Sequence, residues 1–217
     1  MRKRHQRPQL PDPMVPYGNM FFRRHVHQKE WQRSFGLLLA KRFKMASAAD
    51  FGCGNGYVVE GMINGGVKAV GFDPNLKSAW KYVPESVRTF IVCRDLSEPV
   101  DVGRFECVVS IEVAEHLPPE KGMVFVANIA KAEPEVVIFT AAVPGQRGRG
   151  HINCRPMSKW ISDFESVGYA ADKAAADEIR NEVFTMMGTS RSHMANLMVF
   201  KRLHKGPPSA EGIRIPK

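Results

Sequence analysis

Residues 50–56, Asp-Phe-Gly-Cys-Gly-Asn-Gly, hold the first chemistry that this chain of 217 residues offers. Gly52, Gly54 and Gly56 alternate over five residues, a spacing that lets a backbone turn tightly and lie against a ligand with no Cβ in the way. Asp73 comes 21 residues after Gly52, near the offset at which an acid accepts hydrogen bonds from the vicinal hydroxyls of a ribose. A second reactive stretch runs from Ala141 to Asn153 and contains Gly145, Gly148, Gly150, Arg147, Arg149 and His151. His151 has the ionisation range of a general base near neutral pH, or of a hydrogen-bonding partner for a substrate; bracing its own loop is the competing use.

The elements that must position these groups read as alternating strands and helices. Ala46, Ala48, Ala49 and Phe51 suit a buried strand before the glycines. Tyr57, Val58, Val59, Met62 and Ile63 form a helical stripe that stops at Gly65-Gly66, and Val67 to Phe72 is a second strand closing on Asp73. Strand, glycine turn, helix and strand make one βαβ unit with a nucleoside site at the carboxyl ends of its strands. Phe90 to Cys93, Phe105 to Ile111 and Val136 to Thr140 read as further buried strands, and the loop at Ala141 therefore lies where open α/β sheets hold ligands. Helices are expected over His27 to Lys44, with its apolar face on the sheet, over Leu76 to Tyr82, over Pro119 to Lys131 with Met123, Phe125, Val126 and Ile129 inward, and over Ser158 to Val167. Ala170 to Ala176 reads as a sixth strand, and Asn196 to Arg202 as a late one at the edge of the sheet.

Charge is uneven along the chain. The formal net charge is +9, and residues 1–44 carry eleven Lys or Arg against Asp12 and Glu30, a net of 11 − 2 = +9. The remainder is balanced, so the basicity belongs to an N-terminal appendage. Residues 1–26 form a basic arm with Pro8, Pro11, Pro13 and Pro16, irregular over residues 1–20; residues 27–203 form the folded domain, and 204–217 a tail. Such an arm attracts a phosphate backbone or simply aids solubility. No apolar run approaches the ~20 residues that span a bilayer, and the charged start is unlike a signal peptide, so no membrane partner and a cytoplasmic location are expected. Cys53, Cys93, Cys107 and Cys154 are scattered with no Cys-x-x-Cys pair, which implies reduced thiols and no zinc site.

The spelling Asp50-Phe51-Gly52-Cys53-Gly54-Asn55-Gly56 resembles motif I of the class I S-adenosylmethionine-dependent methyltransferases. Glu112-Val113-Ala114-Glu115-His116-Leu117 resembles their motif IV with its sequel. The resemblance covers about residues 30–202. It implies an α/β fold, a doubly wound, mostly parallel seven-stranded sheet with helices on both faces and the last strand antiparallel, and S-adenosylmethionine as cofactor. It further implies cofactor contacts from Asp50, Gly52, Cys53, Gly54, Asp73 and Pro74, an adenine loop at Asp95 and Leu96, and Glu112 facing the methionine part of the cofactor or the acceptor. Tyr17, Phe21, Phe22 and His27 become candidates for lining the pocket, with core anchoring as the alternative. The methyl acceptor is an O or N nucleophile of unidentified identity, a small molecule first and RNA through the basic arm second. His151-Ile152-Asn153 also matches the family at this point, which makes His151 the candidate catalytic residue.

Three rivals bear on this reading. A nicotinamide site wants a third glycine where Tyr57 stands, and Tyr57 is too large for that packing. A non-catalytic cofactor-binding module is the reading from another class. Finally, Glu112, Glu115, His116 and His151 resemble the metal set of the small-RNA 3′-terminal 2′-O-methyltransferases, held there by E-x-x-E-H and a later His. The same string is common in metal-free relatives, and no metal is expected among the cofactors. No K-D-K-E tetrad of the cap 2′-O-methyltransferases is evident.

Overall fold

The computed structural model describes residues 17–187 and 194–203. Seven strands form one sheet: β1 (Ser47–Phe51), β2 (Lys68–Phe72), β3 (Ile91–Val92), β4 (Cys107–Ile111), β5 (Val136–Thr140), β6 (Tyr169–Ala171) and β7 (Met198–Arg202), in the spatial order β3-β2-β1-β4-β5-β7-β6. The first five run parallel, and β7 is antiparallel to both β5 and β6. All five residues of β1 are buried, as expected of a central strand covered by helices on both faces. In register, Asp50 on β1 lies opposite Gly71 on β2 and Val109 on β4, which brings the glycine turn and Asp73 to the same end of the sheet.

Helices α1 (Asn19–His25), α2 (Lys29–Phe43), α3 (Tyr57–Asn64), α4 (Leu76–Ala79), α5 (Gly122–Lys131), α6 (Met157–Ser166) and α7 (Lys173–Met187) flank this sheet. One core gathers Phe22, Phe35, Leu39, Val59, Met62, Ile179 and Val183. The other gathers Phe125, Ile129, Trp160 and Phe164 with Phe51, Phe139 and Phe200 of the sheet. Burying a Phe or Leu side chain contributes roughly 1.5–3 kcal/mol before chain entropy is counted.

Several expectations are corrected. Helix α2 packs chiefly on α3, through glycines: a Cβ at Gly36 would stand 2.2 Å from the Val58 carbonyl oxygen, and one at Gly61 would stand 2.1 Å from the Arg33 carbonyl oxygen. The strand read over Ala170 to Ala176 ends at Ala171, and Lys173 opens a 15-residue helix; Ala174, Ala175 and Ala176 are strong helix formers, and Asp172 accepts from the Ala175 N–H at 3.0 Å. The edge strand is β6, with β7 inserted beside β5. Met123 is 38% exposed where it was expected inward, whereas Phe125, Val126 and Ile129 are buried. Helix α1 begins inside the stretch read as irregular, and its Phe22 is 1% exposed. Of the basic arm, residues 1–16 lie outside the described residues, as does the tail 204–217. Among the described residues no helix is long and apolar enough to cross a membrane.

Candidate functional site

The glycine turn is clamped across the sheet, with the N–H groups of Gly52 and Cys53 both donating to the Phe72 carbonyl at 2.8 and 3.1 Å. Gly54 has a φ of +53°, and no atom lies within 4 Å of where its Cβ would stand, so the turn borders open space that a ligand can fill. Asp73, 6% exposed at the tip of β2, receives the Gly54 N–H on Oδ2 at 3.0 Å and the Asn75 N–H on Oδ1 at 2.7 Å. Burial raises its pKa against these two bonds. Each oxygen keeps a further acceptor site. Asp50 is buried behind the turn, and burial, then the Asp73 charge, push it up to about 8. Cys53 is buried beside them, its thiol pushed well up chiefly by burial. Pro74 is exposed, and its carbonyl accepts from the Cys93 thiol.

Asp95 and Leu96 follow β3 on the outer side of Asp73 in strand order. Leu96 is buried, and Asp95 Oδ1 caps its own turn, accepting from the Ser97 N–H at 2.9 Å and the Ser97 hydroxyl at 2.7 Å.

On the other side of β1, Glu112 leaves β4 with a φ of +56°, unusual for a residue with a side chain. The Thr140 hydroxyl accepts its N–H at 2.9 Å, and Gln146 Nε2 donates to its Oε2 at 3.1 Å. The loop after β5 is stitched to the 3₁₀ turn at Ala114–His116: the N–H groups of Ile152 and Asn153 donate to the Glu115 carbonyl at 2.9 and 3.0 Å, and Asn153 Nδ2 donates to the Ala114 carbonyl at 3.1 Å. This stitching brings His151 to His116, their rings 5.0 Å apart and edge to face.

Ligand atoms of Glu115, His116 and His151 all lie within 4.8 Å of one another. The Glu115 side chain is fully buried, and neither of its carboxylate oxygens has a well-formed hydrogen bond; Glu112 Oε1 is in the same condition. Burial raises the pKa of both acids, and the Glu112 charge raises Glu115 further. Burial holds His116 down to about 4, so its ring is neutral near pH 7. His116 Nδ1 lies 3.0 Å from the Gly150 carbonyl and His151 Nδ1 lies 3.1 Å from the Gln146 carbonyl. A carbonyl only accepts, which favours a hydrogen on Nδ1 of each ring. The buried Glu115 carboxylate, beside Glu112 and the imidazoles of His116 and His151, makes with them a donor set that suits a divalent cation. A cleft of about 510 Å³ opens beside it, lined by Gly145, Gln146, Arg147, Gly148 and His151.

Tyr17 closes the cluster from the N-terminal side. Its hydroxyl lies 2.6 Å from His116 Nδ1 and 3.3 Å from the Arg149 carbonyl, and burial, then Glu115, push its pKa up to about 12. Its N–H donates to Asn75 Oδ1 at 3.1 Å, and Asn55 Nδ2 ties the glycine turn to the Phe22 carbonyl at 3.0 Å. Of the aromatic candidates, Tyr17 therefore touches the cluster, Phe21 packs on Tyr17, Phe22 anchors the core, and His27 is exposed. Gln146 and Asn75 were not singled out from the sequence; Asn75, two residues past Asp73, carried the only signal, as a turn former.

A family model described as a methyltransferase domain matches residues 22–172. No curated protein matches the chain. Among solved structures, the chain is similar to a sugar N-methyltransferase from Streptoalloteichus (15% identity, 94% of this chain and 100% of that one covered, TM-score 0.61). It is also similar to the magnesium protoporphyrin IX methyltransferase of Synechocystis, crystallised with S-adenosylhomocysteine (15% identity, 82% and 84% covered, TM-score 0.59). A third likeness is to the methyltransferase domain of the bacterial CtHen1-C (16% identity, 82% and 98% covered, TM-score 0.57). At these identities the likenesses show the fold.

Proposed function

Because the chain belongs to the methyltransferase-domain family whose model matches its residues 22–172, we propose that it moves the methyl group of S-adenosylmethionine to an acceptor oxygen brought to Glu112, Glu115, His116 and His151. The observation that carries this reading is the closeness of the last three, within 4.8 Å, at the carboxyl ends of the strands next to the glycine turn. Gly52, Gly54 and Asp73, with Asp50, Cys53 and Pro74 around them, take the nucleoside side of the cofactor, and Asp95 with Leu96 takes the adenine. The open space at Gly54 and the spare acceptor sites of Asp73 support that assignment. The bound cofactor supplies a methyl carbon on a charged sulfur, a leaving group that needs no acid. What remains for the chain is to hold the acceptor in line, exclude water and receive a proton. With no cation in the cluster, His151 is the group that receives it, on Nε2, since its Nδ1 lies 3.1 Å from the Gln146 carbonyl.

A divalent cation would fit Glu115, His116 and His151, with Glu112 beside them; it would occupy the His151 lone pair and instead make the acceptor hydroxyl more acidic, its proton then passing to water. The test is Mn2+ binding by the full-length chain, read by electron paramagnetic resonance. One site is expected, lost in Glu115→Gln; equal binding in that variant removes the cluster from the reading.

A small hydroxylated acceptor matches the cleft of about 510 Å³. RNA is the second reading, favoured by the likeness of the Glu112-to-His116 string to the small-RNA enzymes and by exposed Arg147 and Arg149 on the rim. Labelled methyl incorporation into an RNA oligonucleotide, abolished when periodate has oxidised its terminal diol, decides for RNA. No incorporation removes RNA from the reading. The four free thiols are in keeping with a cytoplasmic setting, which is part of the same proposal.

A further inference from the structure

We propose that Tyr17 is a positioning residue for His116, its hydroxyl acting with the Gly150 carbonyl to lock the imidazole with its proton on Nδ1 and its lone pair on Nε2. The inference rests on the cation reading above for its consequence, and on hydrogen-bond geometry for its substance.

Two oxygens crowd His116 Nδ1: the Tyr17 hydroxyl at 2.6 Å and the Gly150 carbonyl at 3.0 Å. If the tyrosine donated to a bare Nδ1, the nitrogen lone pair would face the carbonyl oxygen at 3.0 Å with no hydrogen between them. The consistent assignment has Nδ1–H shared between both oxygens and the tyrosine hydrogen passed to the Arg149 carbonyl, 3.3 Å away. Every donor then has an acceptor, and only Nε2 is left free for a cation. An imidazole that gives its far N–H to a fixed acceptor is held in orientation and binds metal better.

The surroundings are built for this contact. Gly150 has a φ of +74°, and a Cβ there would come within 2.7 Å of the tyrosine oxygen and 3.4 Å of His116 Nδ1, so a glycine is what allows the approach. The tyrosine ring packs on Phe21, centroids 4.1 Å apart, and Phe21 packs on Phe22 of the core. On its other side the Tyr17 N–H holds Asn75, whose own N–H holds Asp73. One residue thus spans from the ribose acid on β2 to the histidine after β4, and orders the second from the first.

The test uses the full-length chain with Tyr17→Phe, which keeps the ring and the bond to Asn75 and deletes only the hydroxyl. In the cation-free protein, ¹⁵N spectra of the His116 ring are expected to show a single Nδ1–H tautomer in the parent and a mixture in the variant. Mn2+ affinity is expected to fall by about 10–100-fold, with S-adenosylhomocysteine affinity unchanged. Gly150→Ala, which pushes the hydroxyl away, is expected to reproduce the spectral change. Identical His116 spectra in the parent and both variants overturn the proposal. A parent that binds no Mn2+ overturns the cation reading instead, and the tautomer still decides what Tyr17 does.

Discussion

Replacing Asp73 by Ala tests the cofactor site and the architecture of the glycine turn at once. The carboxylate holds the N–H groups of Gly54 and Asn75 at 3.0 and 2.7 Å, and in the proposed site its spare acceptor positions take ribose hydroxyls. Two hydroxyl bonds to a charged acceptor, net of water, amount to about 2–3 kcal/mol, or roughly 30- to 150-fold in Kd. The backbone N–H groups left without an acceptor cost about 1–3 kcal/mol each if water cannot reach them, so the melting temperature should fall as well. Calorimetry with S-adenosylhomocysteine, run well below the variant's melt, separates the two effects. Asp73→Asn is the companion: its amide oxygen can still accept from Asn75, while its NH2 group meets the Gly54 N–H head on. It should lose affinity and less stability than Asp73→Ala. Unchanged affinity in Asp73→Ala with an unchanged melt would refute both halves of the reasoning.

Two further outcomes are expected. The folded pKa of Asp50 is raised from 3.8 to about 8, so the native state keeps a proton that the unfolded chain releases; its contribution is full below about pH 4 and is lost as pH rises toward about 8. Asp50→Asn should remove that slope, up to about 1.4 kcal/mol per pH unit, and parallel melting curves for both proteins between pH 5 and 8 would count against it. Deleting residues 1–16 removes Arg2, Lys3, Arg4 and Arg7 but spares Tyr17 and the buried Phe22. If RNA is the acceptor, affinity should fall and its log–log salt slope flatten by roughly 0.7 per lost phosphate contact, whereas an unchanged slope would free the arm from that role.

What could be read beforehand follows local rules. That Gly52, Gly54 and Asp73 come together at one end of the sheet was legible because strand, tight turn, helix and strand leave a fixed spacing in one βαβ unit. Glu112 was singled out by resemblance, and the buried run of β4 before it fixed only its place at the end of a strand. Helix α7 was not read from the sequence at all, because alanines after a short strand carry no hydrophobic period, and the cap at Asp172 outweighs the preceding pattern. Helix α1 hid among prolines and basic residues, its evidence being one buried ring, Phe22. The contact from Tyr17 to His116 joins residues 99 apart, and nothing periodic marks it; it exists because Gly150 leaves room. Tyr17 was a candidate for the pocket on resemblance alone, and its partner came only from the packing.

The place of β7 has a consequence for how the chain is made. Strand β5 ends at Thr140 and β7 begins at Met198, 198 − 140 = 58 positions later. At synthesis rates of about 5–20 residues per second, the β5 edge waits roughly 3–12 s for its partner. Throughout that interval a fully apolar edge, Val137, Ile138 and Phe139, all buried in the finished protein, stands unpaired on a nascent chain, and β6 has nothing to join. Such an edge is a template for any other extended segment nearby. Yield at high expression should therefore respond to translation speed and to chaperones that shield nascent strands, even for variants whose finished stability is unaltered.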